Sequence, residues 1–257
     1  MHPILLKLGP VTLYSYGFMM AMGFLTCYYL LQREYRKLGE SPDFASNIVF
    51  WAAIGGIVGA KIFYLIENLS EFIIDPLGMI ISGSGLVFHG GLIGGAVAVI
   101  IYLTRLKKSI IQHGDIIIPM MFVGQAFGRI GCFLAGCCHG KACSLPWAMT
   151  FPYASPPANY PVHPTQLYEA ALNLILFFVL VKLIRPRTKK DGTTFGLYLI
   201  FAGTERFLIE FLRVNPRYAF GLSSAQYTSA AIVLIGVLLL AFFTKEKTKQ
   251  KPKTAKP

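Results

Sequence analysis

Residues 193–213, TTFGLYLIFAGTERFLIEFLR, form an apolar run interrupted by Glu205, Arg206, Glu210 and Arg213. On a helix, positions 206, 210 and 213 recur at i, i+4 and i+7, which gathers Arg206, Glu210 and Arg213 on one narrow face. Phe207 and Phe211 fall roughly opposite, where they can meet lipid or neighbouring helices. A charge at the centre of a bilayer costs at least about 2.5–3.5 kcal/mol, so such a face turns toward a cavity or a partner. Two readings follow. Glu210 neutralises Arg206 or Arg213 and simply joins helices, or the face lines a functional cavity, the default for ionisable residues inside a membrane.

Other apolar segments carry polar groups in comparable patterns. Gln125, Arg129 and Cys132 share one helical face at i, i+4 and i+7, and Gln166, Glu169 and Asn173 share a face of a later segment. His89 precedes a glycine-rich start, FHGGLIGG, where other backbone can approach it closely. Lys61 and Tyr16 lie on two further segments. Together these residues describe a cavity, open outward or sideways, holding at least two arginines. Guanidinium groups there suit a phosphate, which they bind through paired hydrogen bonds. Taken alone, His89 fits a satisfied structural histidine as well as a functional one.

Cys132, Cys137, Cys138, His139 and Cys143 crowd into twelve residues as C-x4-C-C-H-x3-C. Thiolate and imidazole suit soft metals, yet the paired C-x2-C spacing of the strong zinc signatures is missing. An outward-facing position favours a disulfide, and free structural thiols fit equally well. A metal is the least favoured of the three, so no metal and no cofactor are expected. Cys27, inside an apolar run, reads as inert core.

The elements that must position these groups are membrane helices. The chain has 257 residues, of which 54% are hydrophobic and only 14% charged, against about 25% charged in soluble domains. The fold class expected is all-α: a polytopic membrane helix bundle forming one transmembrane domain, residues 1–244, followed by a basic tail, 245–257. Seven apolar runs, near 13–32, 44–66, 86–104, 114–134, 164–184, 194–213 and 224–244, approach the roughly 20 residues that a crossing needs. The start, MHPILLKLGP, lacks the basic region and cleavage site of a signal peptide.

The net charge of +12 does not indicate nucleic-acid binding, because its distribution follows the spans. Lysines and arginines cluster at 33–37, at 105–108, at 182–190 and in the tail, whereas loop 67–85 carries Glu67, Glu71 and Asp75 and no Lys or Arg. The positive-inside rule then puts the N-terminus outside and the tail in the cytoplasm, touching anionic lipid. Gly55, Gly56 and Gly59, with Gly90, Gly91, Gly94 and Gly95, suit close helix packing. Residues 135–163 hold Pro146, Pro152, Pro156, Pro157 and Pro161 among aromatics, which rules out a regular helix and fits an external cap at headgroup level.

These residues fall into a pattern that resembles the prolipoprotein diacylglyceryl transferase family over almost the whole chain. The resemblance rests on YSYGFMMAMGF at 14–24, GGIVGAKIFY at 55–64, LVFHGGLIGG at 86–95 and GQAFGRIGCFLAGCCHGK at 124–141. It continues through LPWAMTFP at 145–152, HPTQLYEAALN at 163–173 and ERFLIEFLR at 205–213. It implies a seven-span protein of the bacterial inner (cytoplasmic) membrane with its N-terminus outside. The implied reaction moves a diacylglyceryl group from phosphatidylglycerol to the lipobox cysteine of a prolipoprotein signal peptide and releases glycerol 1-phosphate. The family's functional positions correspond to Tyr16, His89, Arg129, Gly140, Arg206 and Glu210. Three positions depart from the pattern: Cys132 stands at the usual Asn, Cys137 at the usual Glu, and Lys61 at the usual Arg.

Combining residues and resemblance, His89, Arg129 and Arg206 are expected to be catalytic. His89 is the first candidate to take the thiol's proton, and the arginines to hold the phosphate as the C–O bond breaks. Tyr16, Lys61, Gln125, Gly140, Glu210 and Arg213 are expected to bind substrate, with Glu210 orienting an arginine. Membrane lipid is the expected partner besides the two substrates. A small-anion transporter would need polar residues through the full depth of several spans, but the cytoplasmic halves are mostly apolar. A membrane thiol oxidoreductase would favour a C-x-x-C pair, which is absent.

Overall fold

The computed structural model describes residues 2–9, 11–82, 85, 87–154, 157–188 and 190–246. The tail beyond residue 246, Pro156 and Lys189 lie outside the described residues. The chain divides into two compact units, residues 1–27 with 114–257 and residues 28–113. Helix covers most of each of the seven apolar runs among the described residues. Among the described residues, five stretches are long and apolar enough to cross a membrane: Pro42–Glu67, Phe88–Arg105, Ile110–Ala135, Thr165–Arg187 and Ser224–Phe243. The protein is therefore a polytopic helical membrane protein.

Two small antiparallel ribbons qualify the all-α expectation. The first pairs β1 (Ile4–Leu8) with β2 (Val11–Tyr14), and Ser15 at its end hydrogen-bonds the His2 carbonyl through its hydroxyl. Helix α1 (Ser15–Lys37) follows. The apolar residues Ile4, Leu5 and Leu6 are exposed, so this ribbon lacks the polar face by which a soluble strand announces itself.

In the 28–113 unit, α2 (Pro42–Glu67) starts on Pro42, whose fixed φ and missing N–H suit the first helical turn. Two short helices follow, α3 (Leu69–Ile74) and α4 (Pro76–Ile81), and the Asp75 carboxylate caps α4 by accepting from the Gly78 N–H at 3.0 Å. Helix α5 (Phe88–Arg105) then packs on α2 through the predicted glycines. A Cβ on Gly59 would lie 2.4 Å from the Gly90 carbonyl oxygen, and one on Gly94 would lie 2.3 Å from that of Gly55. The two backbones touch because neither helix carries a side chain at the seam. At the other end of this unit, Tyr35 is buried against Phe44 and its hydroxyl lies 3.1 Å from His113 Nδ1.

In the other unit, α6 (Ile110–Ile117) and α7 (Met120–Ala135) are separated by a short break at 118–119. Gly136, at φ 81°, ends α7 and returns its N–H toward the Cys132 and Phe133 carbonyls. A left-handed glycine there satisfies carbonyls that the helix leaves free. The Pro-rich segment that follows contains no helix among its described residues, as expected. It does contain a second ribbon, β3 (Met149–Phe151) with β4 (Ala158–Val162). Phe151, Ala158 and Val162 form a small buried core beneath it.

Helix α8 (Thr165–Phe178) extends through a π-helical turn, Val179–Ile184. Helix α9 (Thr193–Ile209) is capped by Asp115, whose carboxylate accepts from the Gly192 and Phe195 N–H groups at 2.7 and 2.8 Å. It packs on α10 (Ser224–Glu246) across Gly196, Gly203 and Gly236. The helical run expected to reach residue 213 stops at Ile209. A 3₁₀ turn, Glu210–Leu212, follows, and Arg213 is extended, with its backbone bridged to Gly140.

Candidate functional site

Five charged side chains from α7, α8 and the end of α9 form an alternating chain. Arg129 Nη2 lies 2.7 Å from Glu169 Oε2, and Glu169 Oε1 lies 3.4 Å from Arg213 Nη1. Arg213 Nε lies 3.9 Å from Glu210 Oε2, and the same oxygen lies 2.7 Å from Arg206 Nη2. The order is Arg129, Glu169, Arg213, Glu210, Arg206. Both carboxylates are buried, Glu169 at 2% and Glu210 at 0% exposure, whereas Arg129 and Arg206 keep about a quarter of their side-chain surface accessible. Among these five side chains, three guanidiniums face two carboxylates.

Each member is fixed by its own element. Arg129 stands on α7 with Gln125 one turn before it, and Gln125 donates to the Tyr198 hydroxyl on α9 at 3.2 Å. Glu169 sits on α8 between Gln166 and Asn173, all three buried. Asn173 donates to Glu205 Oε1 at 2.9 Å, and Glu205 stands within electrostatic reach of Arg129 and Arg206. The Glu210 carboxylate also accepts from Asn215 Nδ2 at 2.6 Å, and its carbonyl accepts from Arg217 Nη2 at 3.0 Å. Arg217 is held in turn by Gln226 Oε1 at 2.9 Å. The 3₁₀ turn aims Glu210 and Arg213 together despite the end of the helix. Phe207 and Phe211 pack edge-on against each other, and Phe211 is exposed.

The cysteine-rich loop leans on the same site. Gln166 Nε2 donates to the Cys137 carbonyl at 2.6 Å, and Thr165 Oγ1 to that of Cys138 at 2.9 Å. The Gly140 N–H donates to the His163 carbonyl at 2.9 Å, and the Lys141 N–H to that of Leu212 at 2.7 Å. A Cβ on Gly140 would lie 2.7 Å from the Leu212 oxygen and 2.8 Å from Thr165 Cγ2. Gly140 therefore lets the loop lie flat against the strand that presents Arg213. The cysteines are free thiols rather than a disulfide. Those of Cys132, Cys137 and Cys138 lie within 4.8 Å of one another, with His139 and Cys143 outside that group. Hydrogen bonds from the Cys132 and Cys137 thiols, and the nearby Arg213 guanidinium, draw the Cys138 thiol well below its ordinary range.

Tyr16, at the start of α1, packs its ring on Gly131 and stands within electrostatic reach of Arg129 and the three cysteines. Of the residues singled out in the sequence, Arg129, Arg206, Glu210, Arg213, Gly140 and Tyr16 thus gather in one region, and Gln125 adjoins them. His89 and Lys61 belong to the 28–113 unit. His89 is exposed in the first turn of α5 beside Phe88. The Lys61 ammonium donates to the Ser82 carbonyl at 2.9 Å and lies 5.4 Å from the centre of the Tyr64 ring. Glu169, which pairs two of the arginines, was not among the expected site residues. Its face with Gln166 and Asn173 was the signal that could have found it.

Two guanidinium nitrogens of the chain are buried, as are Gln166 Oε1, Asn173 Oδ1 and Glu210 Oε2, which accept no hydrogen bond among the described residues. Arg206 Nη1 and Arg213 Nε have no hydrogen-bond acceptor among the described residues. Guanidinium donors left over in a cationic cluster are suited to an oxyanion.

Residues 3–242 match the sequence pattern of the family described as prolipoprotein diacylglyceryl transferase. The chain belongs to that family. A phosphatidylglycerol–prolipoprotein diacylglyceryl transferase of Clostridium tetani is 37% identical over 243 residues, covering 93% of this chain and 96% of its own length. A protein of the same name from Idiomarina loihiensis is 33% identical over 252 residues, covering 95% and 94%. One from Clostridium perfringens, bearing that name with the number 2, is 32% identical over 249 residues, covering 96% and 97%. The arginine chain therefore occupies a diacylglyceryl transferase scaffold of nearly full family length.

Proposed function

We propose that this diacylglyceryl transferase takes phosphatidylglycerol as donor and that Arg129, Arg206 and Arg213 bind its phosphate. The acceptor is the lipobox cysteine of a prolipoprotein signal peptide. The observation that carries the phosphate assignment is the pair of buried guanidinium donors, Arg206 Nη1 and Arg213 Nε, gathered with Arg129 in one cluster. A phosphodiester supplies acceptors for both donors.

The cysteine thiolate attacks the glyceryl carbon that bears the phosphate oxygen. The C–S bond forms, the C–O bond breaks, and glycerol 1-phosphate leaves with the electron pair. Arg129 and Arg206 stabilise the charge growing on that phosphate, because preorganised donors cost no reorganisation as the bond breaks. Glu210 orients Arg206, and Glu169 orients Arg129. Tyr16, Gln125 and Gly140 complete the substrate surface around Arg129, and Lys61, at the family's usual Arg, is a further candidate for substrate binding. His89 takes the thiol proton, a role suggested by its family position and its exposed ring.

The chain crosses the bacterial cytoplasmic membrane seven times, with α1 and α9 added to the five longer apolar stretches. The N-terminus lies outside and the tail inside, as the bias of Lys and Arg directs. The direct test is incubation of the purified protein with phosphatidylglycerol and a lipobox peptide. The peptide should gain the mass of one diacylglyceryl group on its cysteine. An unmodified peptide with correctly inserted protein would contradict the assignment.

A further inference from the structure

We propose that Cys132, Cys137 and Cys138 form a zinc site whose open fourth position takes the thiolate of the acceptor cysteine. The role of the open position rests on the transferase reading above, whereas the metal site stands on the thiol geometry alone.

The three Sγ atoms lie within 4.8 Å of one another. Zinc binds thiolate at about 2.3 Å, which separates sulfurs by about 3.8 Å in a tetrahedral site, so small side-chain adjustments close this group around one ion. The backbone is arranged for such a group. Cys138 adopts φ 65°, a left-handed conformation that costs a residue bearing a Cβ and persists only where its surroundings impose it. Those surroundings are the Thr165 hydroxyl on the Cys138 carbonyl at 2.9 Å and the Gln166 amide on the Cys137 carbonyl at 2.6 Å. Both belong to the start of α8, and Cys132 projects from α7, so two helices hold the ligands in register. This fixing of the ligand backbone is what a metal site requires of its supporting shell. The sequence favoured other fates for these thiols because C-x4-C-C lacks the usual paired spacing. The structure supplies the missing proximity by turning the loop back on α7 at Gly136.

Three thiolates leave a tetrahedral ion one free position, the arrangement of catalytic rather than structural zinc. The Arg213 guanidinium stands beside Cys138, a cation close to this anionic group. Cys132 follows Arg129 by three residues on α7, so the open position neighbours the arginine chain proposed to hold the phosphate. A substrate thiol that binds there gives up its proton to water and remains a thiolate. Its sulfur then forms the C–S bond while the glyceryl C–O bond breaks, and the thioether produced, a weaker ligand, departs. Zinc keeps its oxidation state and its three protein thiolates throughout this step.

The test separates the metal from the transfer. Wild-type protein purified in detergent under reducing conditions should carry about one zinc per chain, and the Cys132→Ser/Cys137→Ser/Cys138→Ser variant less than about a tenth of that. Cys143→Ser, outside the group, should keep the full amount. With cobalt in place of zinc, the visible bands should show tetrahedral thiolate ligation and should shift when a lipobox peptide is added, but not when its cysteine is serine. Wild-type protein without stoichiometric zinc, or a triple variant that retains it, would overturn the site. Cobalt bands unmoved by the cysteine peptide would overturn the open position. Neither readout depends on diacylglyceryl transfer, which fails or succeeds separately in the mass assay.

Discussion

Glu169 lies 2.7 Å from Arg129 and 3.4 Å from Arg213, so one buried carboxylate on α8 ties together arginines from two other parts of the chain. Glu169→Gln keeps the shape and removes the charge. Breaking a buried pair from one side costs about 3–5 kcal/mol, because the remaining charges stay desolvated. The variant should unfold at a clearly lower temperature in detergent and lose transfer activity. Wild-type thermal stability would show that Glu169 does not hold the chain of charges together.

Gly140→Ala should act through Arg213 rather than through bulk instability. The added methyl meets the Leu212 carbonyl oxygen, His163 Cβ and Thr165 Cγ2 at 2.7–2.8 Å, so the loop or the strand carrying Arg213 must move. A displacement of about 1 Å in a positioning group can cost about 10²-fold in rate. The expected result is a fall of that order in transfer rate with normal insertion. An alanine variant as active as wild type would mean that the strand shifts without consequence.

Much of this arrangement was legible in the residues, and the gaps have physical causes. The glycines of α2 and α5 announced their seam because bare helix faces admit close backbones. Arg206, Glu210 and Arg213 were grouped correctly from helical spacing, although the helix ends at Ile209 and a 3₁₀ turn completes the grouping. Glu169 was visible as part of a polar face, but its pairing with Arg129 and Arg213 depends on which helices adjoin, which periodicity does not encode. The β1–β2 ribbon was missed because its exposed apolar residues do not alternate with polar ones. The β3–β4 ribbon was hidden by prolines that exclude helix without naming an alternative.

Topology offers an independent check on α1 and α9, which fall outside the five long apolar stretches. If both cross, a reporter fused after residue 190 lies in the cytoplasm. If they do not, while the tail remains cytoplasmic, the same fusion lies outside. Cytoplasmic activity at this position is expected from the basic cluster at 182–190. External activity would reduce the protein to five crossings.

The central claim is that the arginine chain serves a phosphate rather than merely neutralising its own carboxylates. It is tested most directly by the transfer rate of Arg206→Ala, Glu210→Ala and the double variant, with Arg206→Lys alongside, all with phosphatidylglycerol and a lipobox peptide. Loss of one preorganised donor to developing charge typically costs about 10²–10³ in rate. Arg206→Ala should fall by that order, and Arg206→Lys should remain poor because an ammonium cannot offer the planar fork. The double variant removes the 2.7 Å pair as a unit, so a purely structural pair would regain activity when both charges go. The account predicts a double variant as inactive as Arg206→Ala. Recovery toward the wild-type rate would contradict it.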